Sequence, residues 1–433
     1  MSEAVEKSKV REGYKEIHLG PKTVRIPEKW EVVKTNSVCQ KITDGTHNSP
    51  DTVDEGYPYI TSKNIRENGF RLDDIGYISE EDHKKIYSRC DPQLGDVLYV
   101  KDGANTGIAR KNTLDFEFSL LSSVALIRTD RDRLDPDFLT HHLNWPLFKK
   151  VMQSKMSGTG ISRLTVTKIK NSEVLLPPLP KQRRIADVLS TVDEQIQQTD
   201  KIIEEAKELK QGLMQDLLIG GLSNGSTQEI QIGPRTLQIP DHWDMEPCGQ
   251  LFEAINGRAF KTEEWEEEGT QIIRIQDLRP GAEAETNYAN FEVDDKYHVT
   301  VGDLLFCWAG NIKTSLGAYI WSGDDAYLNQ HIYNLRPKKE LDKRFFAFSL
   351  NQHLRLLKTM VGGSAGQVHI TKADFEAFQL PVPPAEEQER IANIIGCAQK
   401  KIDEEKGRKE DLQELKRGLM QDLLTGTVRV NTD

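Results

Sequence analysis

The chain has 433 residues and a net charge of −11, which is too long for one ordinary domain at about 150 residues each. No run nears the roughly 20 apolar residues of a membrane span, and MSEAVEKSKVREGYKE has no apolar signal core, so a cytoplasmic location is the expectation. Five scattered cysteines, Cys39, Cys90, Cys248, Cys307 and Cys397, form no C-x-x-C pair and argue against a disulfide framework or a zinc site.

The first half opens with GPKTVRIPEKW (20–30). TDGTHNSP (43–50) carries Asp44 and His47 in a Gly-containing turn; no third partner is evident, so a turn touching DNA fits better than a catalytic pair. YPYITSKNI reads as a strand running into a loop that carries Lys63, Asn64 and Arg66. LGDVLYV (94–100) reads as a strand after a tight turn, followed by Lys101, Asn105 and Thr106. VALIR (124–128) precedes DPDFLTHHLNWPLFKKVMQSKM, which reads as helical with a restart or kink at Pro146. From Phe138 to Ser172 there is no Asp or Glu, and the window holds Lys149, Lys150, Lys155, Arg163, Lys168 and Lys170 with the Gly-rich SGTGISR (157–163). Pro177, Pro178 and Pro180 then introduce a helix. Its apolar residues Ile185, Leu189, Val192, Ile196, Thr199, Ile203 and Ala206 step by four and three, an a/d seam; Leu213 and Met214 extend it.

The second half runs in the same order. GPRTLQIPDHW (233–243) echoes the opening. The acidic EEWEEEG (263–269) reads as a solvated loop. TQIIRIQDL reads as a strand leading to Arg274, Gln276 and Arg279. VGDLLFC (301–307) leads to Asn311 and Lys313, and Asn329, Gln330 and His331 precede IYNLR (332–336). A second acid-free window runs from Lys343 to Ala373. It holds Lys343, Arg344, His353, Arg355, Lys358, His369 and Lys372, with the Gly-rich VGGSAGQ ending at Gln367. Here VHITK (368–372) echoes LTVTK (164–168). Pro381, Pro383 and Pro384 introduce the second helix, whose seam is Ile391, Ile395, Ala398 and Ile402, resumed by Leu412, Leu415 and Leu419 beside Met420.

Residues 182–220 align with 388–426 without a gap, and GLMQDLL stands at Gly212–Leu218 and again at Gly418–Leu424. The chain is thus written twice, each copy a variable globular segment followed by a helix. Each helix spans about 37 residues, roughly 55 Å, too long a stripe to lie on one small domain. Two such helices can bury their stripes against each other, so an antiparallel coiled-coil pair is expected. The domains read as 1–176, 177–222, 223–380 and 381–433, with α/β (α+β) globular parts. Two basic windows at corresponding places of a repeat point to phosphate contact: Lys149, Lys155, Arg163 and Lys168, then Lys358, Gln367, His369 and Lys372. The loop residues have the chemistry of base readers, since Arg matches guanine and Asn or Gln matches adenine through two hydrogen bonds. No Walker loop, amino-methyltransferase motif, nuclease carboxylate cluster or H-E-x-x-H is present, which favours a binding module over an enzyme.

Together the helix entries PPLPKQRRIADVL and VPPAEEQERIANII, the exits GLMQDLLIG and GLMQDLLTG, the strands GDVLYV and GDLLFC, and the TDGTH turn resemble the specificity subunit of type I restriction–modification systems over nearly the whole chain. The resemblance implies two target recognition domains, each reading half of a bipartite, asymmetric site in double-stranded DNA. It implies that the helices set the spacer and dock two modification subunits, with Ile185, Leu189, Val192, Ile196, Ile203, Leu213, Met214, Ile391, Ile395, Ile402, Leu412, Leu419 and Met420 forming the helix-pair and partner interface. It also implies that S-adenosylmethionine, ATP and Mg2+ sit on the methyltransferase and translocase–nuclease partners, with no cofactor and no catalysis on this chain. A protein-binding scaffold without DNA, and the recognition part of a fused methyltransferase–nuclease, are the competing readings.

Overall fold

The computed structural model describes residues 13–156, 163–222, 225–232, 235–278, 285–311, 315–361 and 368–431. The chain divides into two compact units, residues 1–201 with 406–433, and residues 202–405. Both cuts fall inside long helices, Leu179–Gly220 and Ala385–Thr425. Each unit therefore holds the start of one helix and the end of the other. Pro180 lies in the first turn of its helix, where the missing N–H has no partner to lose.

In the first unit an antiparallel sheet runs in the order Ala109–Lys111, Val97–Val100, Val124–Thr129, Cys39–Asp44. Val97–Val100 is buried along its whole length, because both faces of the sheet are covered. One face carries the main core, with Trp30, Phe138, Trp145 and Phe148 beside Ile185, Leu189, Met420 and Leu424 of the long helices. The other face carries Ile60, Ile65, Cys90 and Phe118. A smaller sheet sets Ser119–Leu120 parallel to Tyr57–Ile60, followed by Gly76–Ile78 and Thr52–Val53. Asp135 caps the helix Pro136–Asn144, and Pro146 starts the next one at Pro146–Ser154, the restart expected from the sequence.

Two side chains lock this frame. The Asn144 amide donates to the Ala109 carbonyl at 2.7 Å and accepts from the Ala109 N–H at 3.0 Å, closing the exposed edge of the sheet. At the helix entry, Gln182 donates to the Pro177 carbonyl at 2.8 Å and accepts from the Asp135 N–H at 2.9 Å.

The second unit has a sheet in the corresponding order, Gly317–Ile320, Leu304–Cys307, Ile332–Pro337, Phe252–Asn256. Its small sheet again has one parallel pair, Thr270–Ile273 with Ala326–Leu328. Asn351 clamps Ala318 through the same two bonds, at 2.7 and 2.8 Å. Gln388 bonds the Pro383 carbonyl at 2.8 Å and the Asp342 N–H at 3.0 Å.

Within the first unit the helix segments are tied by Asp193–Lys416 and Asp200–Lys409, each at 2.5 Å. Within the second, Lys210 donates to Gln399 at 2.6 Å. Of the expected seam, Ile185, Leu189, Val192, Ile196, Ile203, Ile391, Ile395, Ile402 and Met420 are buried, while Leu213, Met214, Leu412 and Leu419 are half-buried. Leu415 departs from expectation and is 51 % exposed. The stripe steps from Leu412 to Leu419, and Lys416 takes the intervening contact with Asp193.

Candidate nucleic-acid interface

In each unit one end of the main sheet gathers a turn, a loop and the end of the acid-free window. In the first unit the strand Cys39–Asp44 ends in a buried carboxylate. Asp44 receives the buried Lys101 ammonium at 3.2 Å and the Arg89 guanidinium at 3.4 Å, and the His47 ring stands 3.4 Å away. Arg89 also donates to the carbonyls of Asp44 and Gly45. A carboxylate taken out of water needs this many partners. A Cβ on Gly45 would fall 1.9 Å from the Leu120 carbonyl oxygen, so only glycine fits. The TDGTH segment is thus a braced turn, and it presents His47 with its side chain 63 % exposed.

The second unit builds the same place from different chemistry. The strand Phe252–Asn256 ends in an amide, and a Cβ on Gly257 would lie 2.0 Å from the Asn329 carbonyl oxygen. Trp308 follows the central strand where Lys101 does in the first unit, and its indole N–H donates to Asn256 at 2.9 Å. A buried ion pair in one unit corresponds to a neutral hydrogen bond in the other.

The chain leaving each Gly-rich loop is stitched to this spot. The Leu164 N–H donates to the Lys101 carbonyl at 2.9 Å, and the Ile370 N–H to the Trp308 carbonyl at 2.8 Å. Thr165 and Thr371 follow, each capping a short helix. The structural register therefore pairs Leu164 with Ile370, two residues away from the pairing read from LTVTK and VHITK. The corrected register sets Arg163 opposite His369, both exposed.

The candidate readers divide into those that hold the loops and those that face solvent. Asn64 is 1 % exposed. It accepts from the Thr61 N–H and hydroxyl and donates to the Arg71 carbonyl, so its capacity is spent inside the loop. Lys101 is likewise buried against Asp44. Neither faces solvent: Asn64 satisfies the backbone of its own loop, and Lys101 is taken up by the Asp44 carboxylate. Asn105 donates to the Ser62 carbonyl and Thr106 to the Gly103 carbonyl. Arg66 donates to the Ile65 carbonyl. Lys63 pairs with Asp74 at 3.3 Å while remaining exposed. In the basic window Lys149 pairs with Glu67, Lys168 donates to the Lys155 carbonyl, and Arg163 stands 3.7 Å from Asp102.

In the second unit the Arg274 guanidinium lies 4.7 Å over the Trp265 ring and donates to Asn287. Gln276 donates to the Glu285 carbonyl at 3.3 Å. Lys372 lies 3.7 Å from Glu376, and Lys358 is half-buried. Asn311, His331 and His369 are exposed. Arg279, Lys313 and Gln367 lie outside the described residues, as do 157–162 and 362–367 of the two Gly-rich loops. In the acidic run Glu264 is not merely solvated: it pairs with Arg258, whose guanidinium lies 4.6 Å over Phe260. Sequence reasoning missed Trp308, although its place after GDLLFC, matching Lys101 after GDVLYV, was a usable signal.

Among the described residues no cluster of three or more His, Cys, Asp or Glu side chains is arranged to hold a metal, and no helix is long and apolar enough to cross a membrane.

The family model described as type I restriction modification DNA specificity domain matches residues 27–208 and 240–414. The chain is similar to the type I restriction enzyme MjaVIII specificity subunit of Methanocaldococcus jannaschii, at 26 % identity over 97 % of this chain and 96 % of the relative. It is similar also to the type I restriction enzyme EcoKI specificity subunit of Escherichia coli K12, at 21 % identity over 86 % and 82 %. In fold it resembles the crystal structure of the type I restriction–modification S subunit from M. genitalium, with a TM-score of 0.57, 16 % identity, and 91 % and 96 % of the two chains covered. A structure described as showing complex assembly and conformational transition of the type I R-M system gives a TM-score of 0.54 at 19 % identity, covering 93 % and 99 %.

Proposed function

The chain belongs to the type I restriction–modification DNA specificity family, whose part is sequence-specific DNA recognition, and on that premise we propose that its two units are two readers, each addressing one half of a bipartite, asymmetric duplex site. The observation that carries this reading is the shared frame with exchanged side chains. Both units have the same strand order, the same asparagine clamp and the same stitched loop. At matching places the frame is built from the buried pair Asp44–Lys101 or from Asn256 with Trp308, and it presents Arg163 or His369 to solvent. A common frame docks both units on the duplex alike, and differing side chains read different bases.

The two helices act as an antiparallel coiled coil that sets the unread spacer and docks two modification subunits. Asp193–Lys416, Asp200–Lys409 and Lys210–Gln399 support this, because each partner number falls as the other rises. The modification subunits supply S-adenosylmethionine-dependent methylation of adenine, and the restriction subunits supply ATP- and Mg2+-dependent translocation and cleavage. This chain contributes recognition and no catalysis. The target adenine has to leave the stack for methylation, and the readers hold the flanking duplex while it does. On this reading 1–176 and 223–380 are the readers, with 177–222 and 381–433 as helical connectors.

The acidic balance fits a reader that shares phosphate contacts with its partners. Electrophoretic binding of the purified chain to duplex DNA should be weak, and should tighten strongly when the modification subunit is added. Tight, specific binding by the chain alone contradicts the shared-contact account. No binding even in the complex contradicts DNA recognition.

A further inference from the structure

The second unit gathers a group of rings at the end of its main sheet, where Trp308 packs against the core residue Tyr333. Trp308 is half-buried, and its indole is anchored by the bond to Asn256 at 2.9 Å. The Tyr333 ring stacks on it with centroids 5.6 Å apart. Two exposed imidazoles stand against the same indole: His331 at 4.9 Å and His369 at 4.6 Å, with interplanar angles of 62° and 80°. They come from segments 38 positions apart in sequence, and both segments are fastened to the Trp308 backbone. The Trp308 N–H donates to the His331 carbonyl at 3.2 Å, and the Trp308 carbonyl accepts from Ile370, next to His369.

His331 has φ of 74°, and it is the only non-glycine residue among the described residues with a positive φ. A side chain in that conformation is uncommon, and such outliers gather where a structure holds a contact group in place. The neighbouring Gln330 adds a second sign. Its side-chain oxygen is buried and has no hydrogen-bond partner among the described residues, and a buried acceptor without a donor is costly. Neither imidazole hydrogen-bonds to another side chain or to the backbone among the described residues, so their ring nitrogens remain for a ligand. A neutral imidazole offers a donor for purine N7 or O6 and an acceptor for a base amino group.

We propose that His331 and His369 are the specificity-determining contacts of the second unit to base edges of duplex DNA, and that Trp308 is the residue that positions them. The proposal rests on the two-reader account and names the part of the second reader that selects its half-site. In the first unit the same location is braced by the buried Asp44–Lys101 pair and exposes His47 and Arg163, so the two half-sites are read by unlike chemistry.

The test uses the chain assembled with its modification subunits. N6-methyladenine is mapped across the genome of cells carrying the wild-type chain, His331→Ala, His369→Ala, His331→Gly, Trp308→Phe, and Arg163→Ala as a first-unit control. The histidine variants should relax one or two base positions in one half-site and leave the other half-site intact. Binding of the purified complex to its cognate duplex should weaken about ten-fold, as for the loss of one good base contact. Trp308→Phe keeps a ring and removes the donor to Asn256, and it should relax the same positions more mildly. His331→Gly suits a positive φ, so it should match or exceed wild-type stability while still relaxing the motif, an outcome that a merely structural histidine would not give. An unchanged motif with uniformly weaker binding would mean phosphate contact and overturn the proposal, as would an unchanged motif with unchanged binding. If the wild-type chain directs no methylation motif at all, the two-reader account fails first. If it does and the histidine variants leave that motif intact, only this proposal fails.

Discussion

Asn144 and Asn351 show what single residues do here. Each spends both ends of its amide on one backbone unit of an edge strand, and neither stands out in the sequence. His141 and His142 are a second case, lying in a window that reads as a basic surface. Both are buried. The His142 ring accepts from the Leu175 N–H at 3.3 Å, and the His141 ring lies 3.0 Å from the Ser190 hydroxyl. Burial pushes both imidazoles down to about 3; for His141 the nearby Lys416 cation adds to the effect. The unfolded chain then binds more protons than the folded one between about 3 and 6.5. The stabilisation from keeping these rings neutral is fully present above about pH 6.5 and is lost as the pH falls toward 3, at up to about 1.4 kcal/mol per pH unit for each ring. Urea unfolding at several pH values should show stability falling from pH 7 to pH 5. The double variant His141→Gln/His142→Gln should show a flatter fall, whatever its stability at pH 7. An equal slope in the two proteins would contradict the assignment. Solvent-facing candidates such as Arg163 and His369 were legible as residue types. Asn64 and Lys101 were not separable from them, because burial in a self-bonded loop leaves no periodic mark.

At the scale of elements the helices were the most legible part. Their apolar residues repeat every three or four positions, and nine of the thirteen named for the helix-pair and partner interface are buried, five of them within the cores of the globular parts. Leu415 shows the limit of that reading: it is apolar and near the right phase, yet Lys416 takes the contact. The Gly-rich segments misled more, since a match of VHITK with LTVTK looks better than the true pairing two residues away. Backbone bonds to Lys101 and Trp308 decide that register, and such bonds are blind to side-chain identity. If the helices set the spacer, their length is the quantity to vary. Four residues inserted near Lys201–Glu205, matched by four in the second helix, add about 6 Å at 1.5 Å per residue. Methylation mapping should then show both half-sites unchanged and a spacer longer by one or two base pairs. A changed half-site would contradict the ruler role.

For the whole molecule, on the two-reader proposal the best-matched and worst-matched parts of the duplication carry different tasks. The helices share GLMQDLL and a gap-free alignment, as expected of parts that must meet the same kind of partner twice. The globular parts share strand order but few side chains, as expected of parts that read different sequences. The α+β class was legible in the short strand-like segments beside the long helices; the strand order inside each unit was not, because short buried strands look alike in any order. The central claim is that each unit reads its own half of one site. It is tested most directly by replacing residues 244–375 with those of a relative of different specificity and mapping N6-methyladenine genome-wide. One half-site should change to the relative's, while the other half-site and the spacer stay as in the wild type. A motif in which both halves change, or neither does, would contradict the account.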